Sequence, residues 1–321
     1  MKAAVLHEVG QPPRYEDFAE PAAGDGEVIV EVSAAGIKPL DKSRANGTHY
    51  SSMGTLPTVC GTDGAGKLDD GTRVVFAMPR APFGSMAQRT VVARQRCFPS
   101  PDGMDEATVA AAFNPALAAW GAVKFRAEMK PGDSVLILGA TGATGTMAVQ
   151  IAKQQGARRV VAAGRNMETL EKLRGLGADA VIQLNQTQEQ LTAAFAREAA
   201  DGGFQVILDY LWGRPTEALL AALTRHDLAA AATRTRLVEI GESAGPTITL
   251  PAAVLRSTQL EIIGSGTGSG GALDMWKEAF REVMAQLRRG DLKIEVQQVP
   301  LADVEKAWSR DQRGARFVLV P

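Results

Sequence analysis

The chain has 321 residues, 45% of them hydrophobic and 22% charged, and its 35 basic and 36 acidic side chains leave a net charge of −1. That length points to about two domains, and the balanced charge argues against nucleic acid or an anionic membrane as partner. Two cysteines are too few for a disulfide framework, no apolar stretch reaches the length of a membrane span, and the start, MKAAVLHEVG, lacks a signal-peptide core; the cytoplasm is the expected location.

Residues 1–100 are rich in Gly and Pro. Their short β-rich runs, Glu27–Val32, Arg73–Ala77 and Thr90–Ala93, are separated by turn signals at Gly24–Gly26 and Asp69–Gly71. This pattern predicts a loop-rich antiparallel β domain. From Asp105 the texture predicts two helices, Asp105–Ala112 and Ala116–Ala127, broken at Asn114–Pro115 because proline removes a donor and crowds the preceding turn.

After Pro131 strands and helices alternate. Strand Ser134–Leu138 leads to helix Thr144–Gln155, strand Arg159–Ala163 to helix Met167–Leu176, and strand Ala180–Leu184 to helix Glu189–Ala200. Strand Gln205–Asp209, helix Pro215–Leu223 and strand Leu237–Ile240 complete the series, and Leu260–Gly264 is a candidate further strand. Helices of this length between strands imply βαβ units around a parallel sheet. The tail reads as an amphipathic helix Leu273–Arg289, a β-run Lys293–Val299, a helix Leu301–Arg310 and a final strand Phe317–Val320.

The stretch GATGATG, residues 139–145, lies between the first of these strands and its helix. Gly139, Gly142 and Gly145 allow a sharp turn and close backbone approach to a pyrophosphate, while Ala143 and Thr144 open a helix whose free N–H groups face the anion. An unliganded βα turn is the alternative reading, but a strand, glycine loop, helix and second strand within roughly 30 residues favour a dinucleotide. The second strand ends in VVAAGRN, so Gly164, Arg165 and Asn166 stand where an NAD site offers a carboxylate to the ribose hydroxyls. A carboxylate would repel a 2′-phosphate, whereas a guanidinium pairs with it. NADPH is the expected cofactor, a solvated surface residue being the other reading of Arg165.

From residue 1 to the final strand the chain resembles the medium-chain dehydrogenase/reductase superfamily, and within it the zinc-independent NADPH:quinone oxidoreductases. The resemblance rests on MKAAVLHEVG, PLDKSRANGTHY, LPTVCGTDGAG, NPALAAWGAV, PGDSVLILGATGATGTMAVQIAKQQGA, LGADAVI, LRSTQLEIIGS and VPLADVEKAW. It implies an α/β fold: a Rossmann domain with a doubly wound parallel sheet (115–255), inserted in a GroES-like, mostly antiparallel β domain that is catalytic (1–114 and 256–321). It also implies a homodimer and an interdomain cleft lined by 37–50, 61–63, the loop after Leu237–Ile240, and 264–268. Thr62, Gly241, Ser265 and Gly266 would then contact the cofactor. Arg316 would keep the charge of the family's usual Gly-Lys before the last strand. The family often holds the 2′-phosphate with a Lys and a Tyr where this chain has Thr169 and Leu184, and a Thr that contacts the nicotinamide in many members is Ala118. Arg165 and Asn166 would therefore bear the 2′-phosphate role nearly alone.

Zinc-dependent members place a cysteine where this chain has Lys38, and a His–Glu pair where it has Thr62–Asp63. No metal site is expected, since a catalytic zinc needs three protein ligands and an open position. Without a Lewis acid, the resemblance implies hydride transfer to quinones or related α,β-unsaturated carbonyls, with two rivals: an enoyl-thioester or alkenal reductase, and an NADPH-binding sensor without turnover. Lys38 could stabilise a developing enolate or be an exposed lysine. Tyr50 could donate a proton or be a partly buried structural residue. Arg165→Ala is expected to weaken NADPH much more than NADH in direct titrations; equal losses would refute the 2′-phosphate role.

Overall fold

The computed structural model describes residues 1–51, 54–224, 234–266, 273–310 and 314–321. Two compact units emerge, one of Met1–Asn114 with Met284–Pro321 and one of Pro115–Val283.

The first unit begins with β1 (Lys2–Leu6), β2 (Arg14–Asp17) and β3 (Glu27–Gly36), followed by α1 (Pro39–Ala45) and β4 (Thr58–Val59). It continues through β5 (Asp63–Lys67), β6 (Arg73–Ala77), β7 (Arg89–Ala93) and β8 (Cys97–Pro99) to α2 (Glu106–Gly121). Along β3, Val30 and Val32 face a core shared with Leu6, Phe76 and Val92. Ala34 packs instead with Ala65, Ala107, Ala110 and Ala111. Small residues line that side, and a Cβ on Gly36 would be in ordinary contact with the Ala110 carbonyl at 3.5 Å.

Much closer approach explains β5, DGAGK, which the sequence pattern does not mark as a strand. Glycine is a poor strand former. Here it is demanded, because a Cβ on Gly64 would lie 2.7 Å from the Ala34 carbonyl and one on Gly66 2.2 Å from that of Glu31. The pairing of β3 with β5 shifts register between Val32 and Ala34 at this point.

The second unit alternates β9 (Ser134–Leu138), α3 (Ala143–Gln154), β10 (Arg159–Gly164), α4 (Met167–Arg174) and β11 (Ala180–Gln183). Then come α5 (Gln188–Ala199), β12 (Val206–Asp209), α6 (Gly213–Leu223), β13 (Arg234–Glu239), α7 (Ala252–Ser257), β14 (Gln259–Gly264) and α8 (Leu273–Arg289). Its strands form one parallel sheet in the order β11-β10-β9-β12-β13-β14. The winding reverses between β9 and β12, the mark of a doubly wound fold. Burial on both faces accounts for the unbroken apolar runs of β9 and β10. The tail returns to the first unit with β15 (Val296–Pro300), α9 (Val304–Ser309) and β16 (Arg316–Val320), and joins the mostly antiparallel sheet β15-β16-β3-β5-β6-β8, in which β7 also pairs with β3. The whole is therefore α/β, a Rossmann-type parallel sheet inserted in a GroES-like β unit.

Two expectations change. The break at Asn114–Pro115 does not occur: Pro115 lies inside α2, which runs on into a wider turn at Ala122–Arg126. Residues Val109–Phe113, Ala116, Ala119 and Trp120 are buried nearly all round, and that packing outweighs the donor lost at proline. The division of the second unit at residue 255 also moves. β14 pairs residue for residue with β13, and the unit runs to Val283. Among the described residues no helix is long and apolar enough to cross a membrane.

Because the Gly66 position has no room for a Cβ, Gly66→Ala is expected to cost about 1–3 kcal/mol, read as a lower urea midpoint with unchanged m-value; an unchanged midpoint would show that β3 and β5 can separate freely.

Candidate functional site

At the winding reversal the C-terminal ends of β9 and β12 leave a crevice, the usual ligand position in such sheets. The loop leaving β9 turns at Gly139, whose φ of +85° is a left-handed conformation suited to glycine. The Gly139 and Ala140 N–H groups both donate to the Ala163 carbonyl, each at 2.9 Å, tying the loop to β10. A Cβ on Gly145 would lie 2.3 Å from the Gly139 carbonyl, so the start of α3 presses directly on the loop. Gly142 caps α3 with no side-chain hydrogen bond, and nothing but the Gly139 carbonyl, at 3.5 Å, would meet a Cβ there. The first-turn N–H groups of Ala143, Thr144 and Gly145 have no acceptor within the helix. They fit a pyrophosphate.

The other glycines expected here lie along the same sheet edge. Gly164 ends β10, with Thr141 so near that a Cβ would lie 2.5 Å from its methyl. Gly241 follows β13 and donates to the Asp209 carbonyl at 3.3 Å; Ser265 follows β14 and donates to the Glu239 carbonyl at 2.7 Å, with Gly266 beside it. Residues 267–272 of the glycine-rich run lie outside the described residues. Arg165 is exposed, and Asn166 accepts from the Thr169 N–H at 3.0 Å as the N-cap of α4. That cap commits its oxygen and leaves its amide N–H groups.

One residue that sequence reading left without a role turns out to shape the crevice. Asp209, buried at the end of β12, accepts from the N–H groups of Leu211 (2.8 Å) and Trp212 (2.9 Å) and from the Thr216 hydroxyl. Burial raises its pKa despite these three donors. The turn it fixes carries Trp212 at φ +54°, ψ −159°, a conformation L-residues rarely adopt. It also packs Tyr210 and Leu211 within 3.2 Å of a Cβ position on Gly139. The signal was present: an Asp two and three residues before free N–H groups is an Asx-type turn.

In the first unit the structure gathers Lys38, Thr62 and Arg316, but not at an open surface. Lys38 is only 2% exposed. Its ammonium lies 3.1 Å from a carboxylate oxygen of Asp41 and 3.1 Å from one of Asp63, and donates to the Gly36 carbonyl at 3.2 Å. The Thr62 hydroxyl lies 3.2 Å from Asp41 and 3.1 Å from Asp63. Arg316, also buried, donates to the Ile37 carbonyl at 2.8 Å. Two cations and two carboxylates thus form an interior network of zero formal charge. Burial alone would lower the Lys38 pKa, but the two carboxylates outweigh it and raise it, so the ammonium persists. Burial, with Asp41 beside it, pushes Asp63 upward.

This corrects the expected roles. All three Lys38 N–H donors have partners, so an enolate-facing cation gives way to a structural one. Thr62 and Arg316 are likewise buried in the network. Tyr50, by contrast, is 69% exposed, its ring 4.1 Å from that of His49; it is not the partly buried residue of the alternative reading.

A family model described as zinc-binding dehydrogenase matches residues 143–288. Over the full length of both proteins the chain is 25% identical to a "probable NADPH-dependent quinone reductase" of Emericella nidulans. It is 31% identical over 187 residues to the chloroplastic NADPH-dependent alkenal/one oxidoreductase of Arabidopsis thaliana, covering 53% of this chain and 48% of that one. The quinone oxidoreductase of Thermus thermophilus, whose structures include a complex with NADPH, superposes with a TM-score of 0.82 at 29% identity, covering 100% of both chains.

The zinc in the family model's description does not suit the residues found here. The matched span excludes Lys38, Thr62 and Asp63. An ammonium occupies the space between the two carboxylates, and burial pushes up the pKa of the Cys60 thiol, so it resists becoming a thiolate ligand. Among the described residues no group of three His, Cys, Asp or Glu could hold a metal.

Lys38→Met would leave two buried carboxylates with one remaining cation, a loss of about 3–5 kcal/mol. A carboxyl whose pKa is higher in the fold than in the unfolded chain holds its proton more tightly when folded, so acid favours the fold. The Lys38→Met deficit in urea melts should therefore shrink between pH 8 and pH 5; a pH-independent deficit would count against the network.

Proposed function

We propose that this chain is a quinone oxidoreductase-like member of the medium-chain dehydrogenase/reductase superfamily, and that it reduces quinones or related α,β-unsaturated carbonyls with NADPH and without zinc. The observation that carries the reading is the open glycine cradle at the β9–β12 reversal, combined with a guanidinium and no carboxylate at the tip of β10. The first-turn N–H groups of α3 would hold the pyrophosphate, Arg165 the 2′-phosphate, and the backbone at Gly241, Ser265 and Gly266 the nicotinamide half. NADPH, when bound, supplies the hydride.

The protein's own part is then mainly positional. An electron-poor acceptor develops negative charge on a carbonyl oxygen that a donor can steady, and the exposed Tyr50 hydroxyl is our candidate for that donor and for the proton. Lys38 supports this region from within, by fixing the start of α1 through Asp41, whose carboxylate also accepts from the Lys38 backbone N–H at 3.1 Å. A cytoplasmic homodimer belongs to the same proposal and rests on the family resemblance.

Alkenals form a second acceptor class, favoured by the Arabidopsis similarity. The test is stopped-flow oxidation of NADPH against quinones, alkenals and enoyl thioesters, with elemental analysis of the purified protein. Turnover with one class, substoichiometric zinc and indifference to chelators are expected. Tight NADPH binding without oxidation by any acceptor would replace the enzyme with a sensor, and loss of activity on chelation would remove the zinc-independent reading.

A further inference from the structure

On the cofactor reading just proposed, a 2′-phosphate with close to two negative charges would meet one exposed guanidinium, Arg165, and the amide of a capping asparagine. The fold brings a second guanidinium to the same rim. The pairing of β10 with β11 continues past its end, the Leu184 N–H donating to the Gly164 carbonyl at 2.8 Å. The next residue, Asn185, donates from its side-chain amide to the Arg165 carbonyl at 3.5 Å. The residue after that, Gln186, offers its carbonyl to the guanidinium of Arg214, from the first turn of α6. The Arg165 backbone and the Arg214 guanidinium, far apart in sequence, are thereby tied to one dipeptide, Asn185–Gln186, at the C-terminal edge of the sheet, and both side chains are exposed.

We propose that Arg214 is a cofactor-specificity residue, acting with Arg165 as a two-guanidinium clamp on the adenosine 2′-phosphate. The inference rests on the NADPH reading and adds to it a residue that no sequence pattern singled out. Its hydrogen bond to the Gln186 carbonyl orients the guanidinium and leaves further N–H donors free for a phosphate oxygen. One acid opposes it: Glu189, exposed in the first turn of α5, lies close enough for Arg214 to help lower its pKa, after its own backbone and Thr187. Glu189 thus competes for the same cation, and a bound phosphate would have to displace that attraction.

The experiment titrates wild type, Arg214→Gln and Glu189→Gln with NADPH, NADH, 2′-phosphorylated ADP and AMP by calorimetry. Glutamine at 214 can still donate to the Gln186 carbonyl, so the turn is kept while the charge is lost. Arg214→Gln should weaken NADPH and 2′-phosphorylated ADP about tenfold and leave NADH and AMP unchanged. Glu189→Gln, which frees Arg214, should tighten NADPH alone. Equal losses for both cofactors, or an unchanged NADPH-to-NADH ratio in both variants, would overturn the clamp. A wild type with no preference for NADPH would instead overturn the cofactor reading beneath it.

Discussion

A helix can begin at the tip of β9 only because Gly145 has no side chain. Its backbone stands where a Cβ would meet the Gly139 carbonyl at 2.3 Å, and this contact sets the direction of α3, the opening of the first-turn N–H groups and the distance from the loop to β12. The turn held by Asp209 closes the other side of the same crevice, with Tyr210 and Leu211 against Gly139. The loop's shape is thus a consequence of backbone approach rather than of functional side chains, which suits the pyrophosphate role proposed for it.

The second unit was legible because its signals are local. Strands Ser134–Leu138 and Arg159–Gly164 are continuous apolar runs, and the glycine loop between them has a spacing with one dominant structural use. The first unit was less legible because long-range contacts decide it. The strand DGAGK has no strand propensity of its own and is imposed by the proximity of β3. Proline inside α2 misled for the mirror reason: a local break signal was overridden by burial on nearly every face.

The polar residues divide along the same line. Gly139, Gly142, Gly145, Gly164 and Arg165 could be read as cofactor candidates from their neighbours in sequence, and remain proposed contacts. Lys38, Thr62 and Arg316 could not, since burial is a property of the folded chain, and their charges suggested exposure. Asp41 and Asp63, which decide what Lys38 can do, have no sequence pattern linking them. Arg214 reaches the rim only through the packing that places α6 beside the start of α5.

The neutral network around Lys38 bears on how this sequence can change. Replacing any one of its four charged members leaves the interior with a net charge, while exchanging a cation and a carboxylate together does not. A single neutral substitution at one of these positions would therefore leave an uncompensated buried charge, and so would placing a neutral metal ligand at Lys38 or at Asp63 alone.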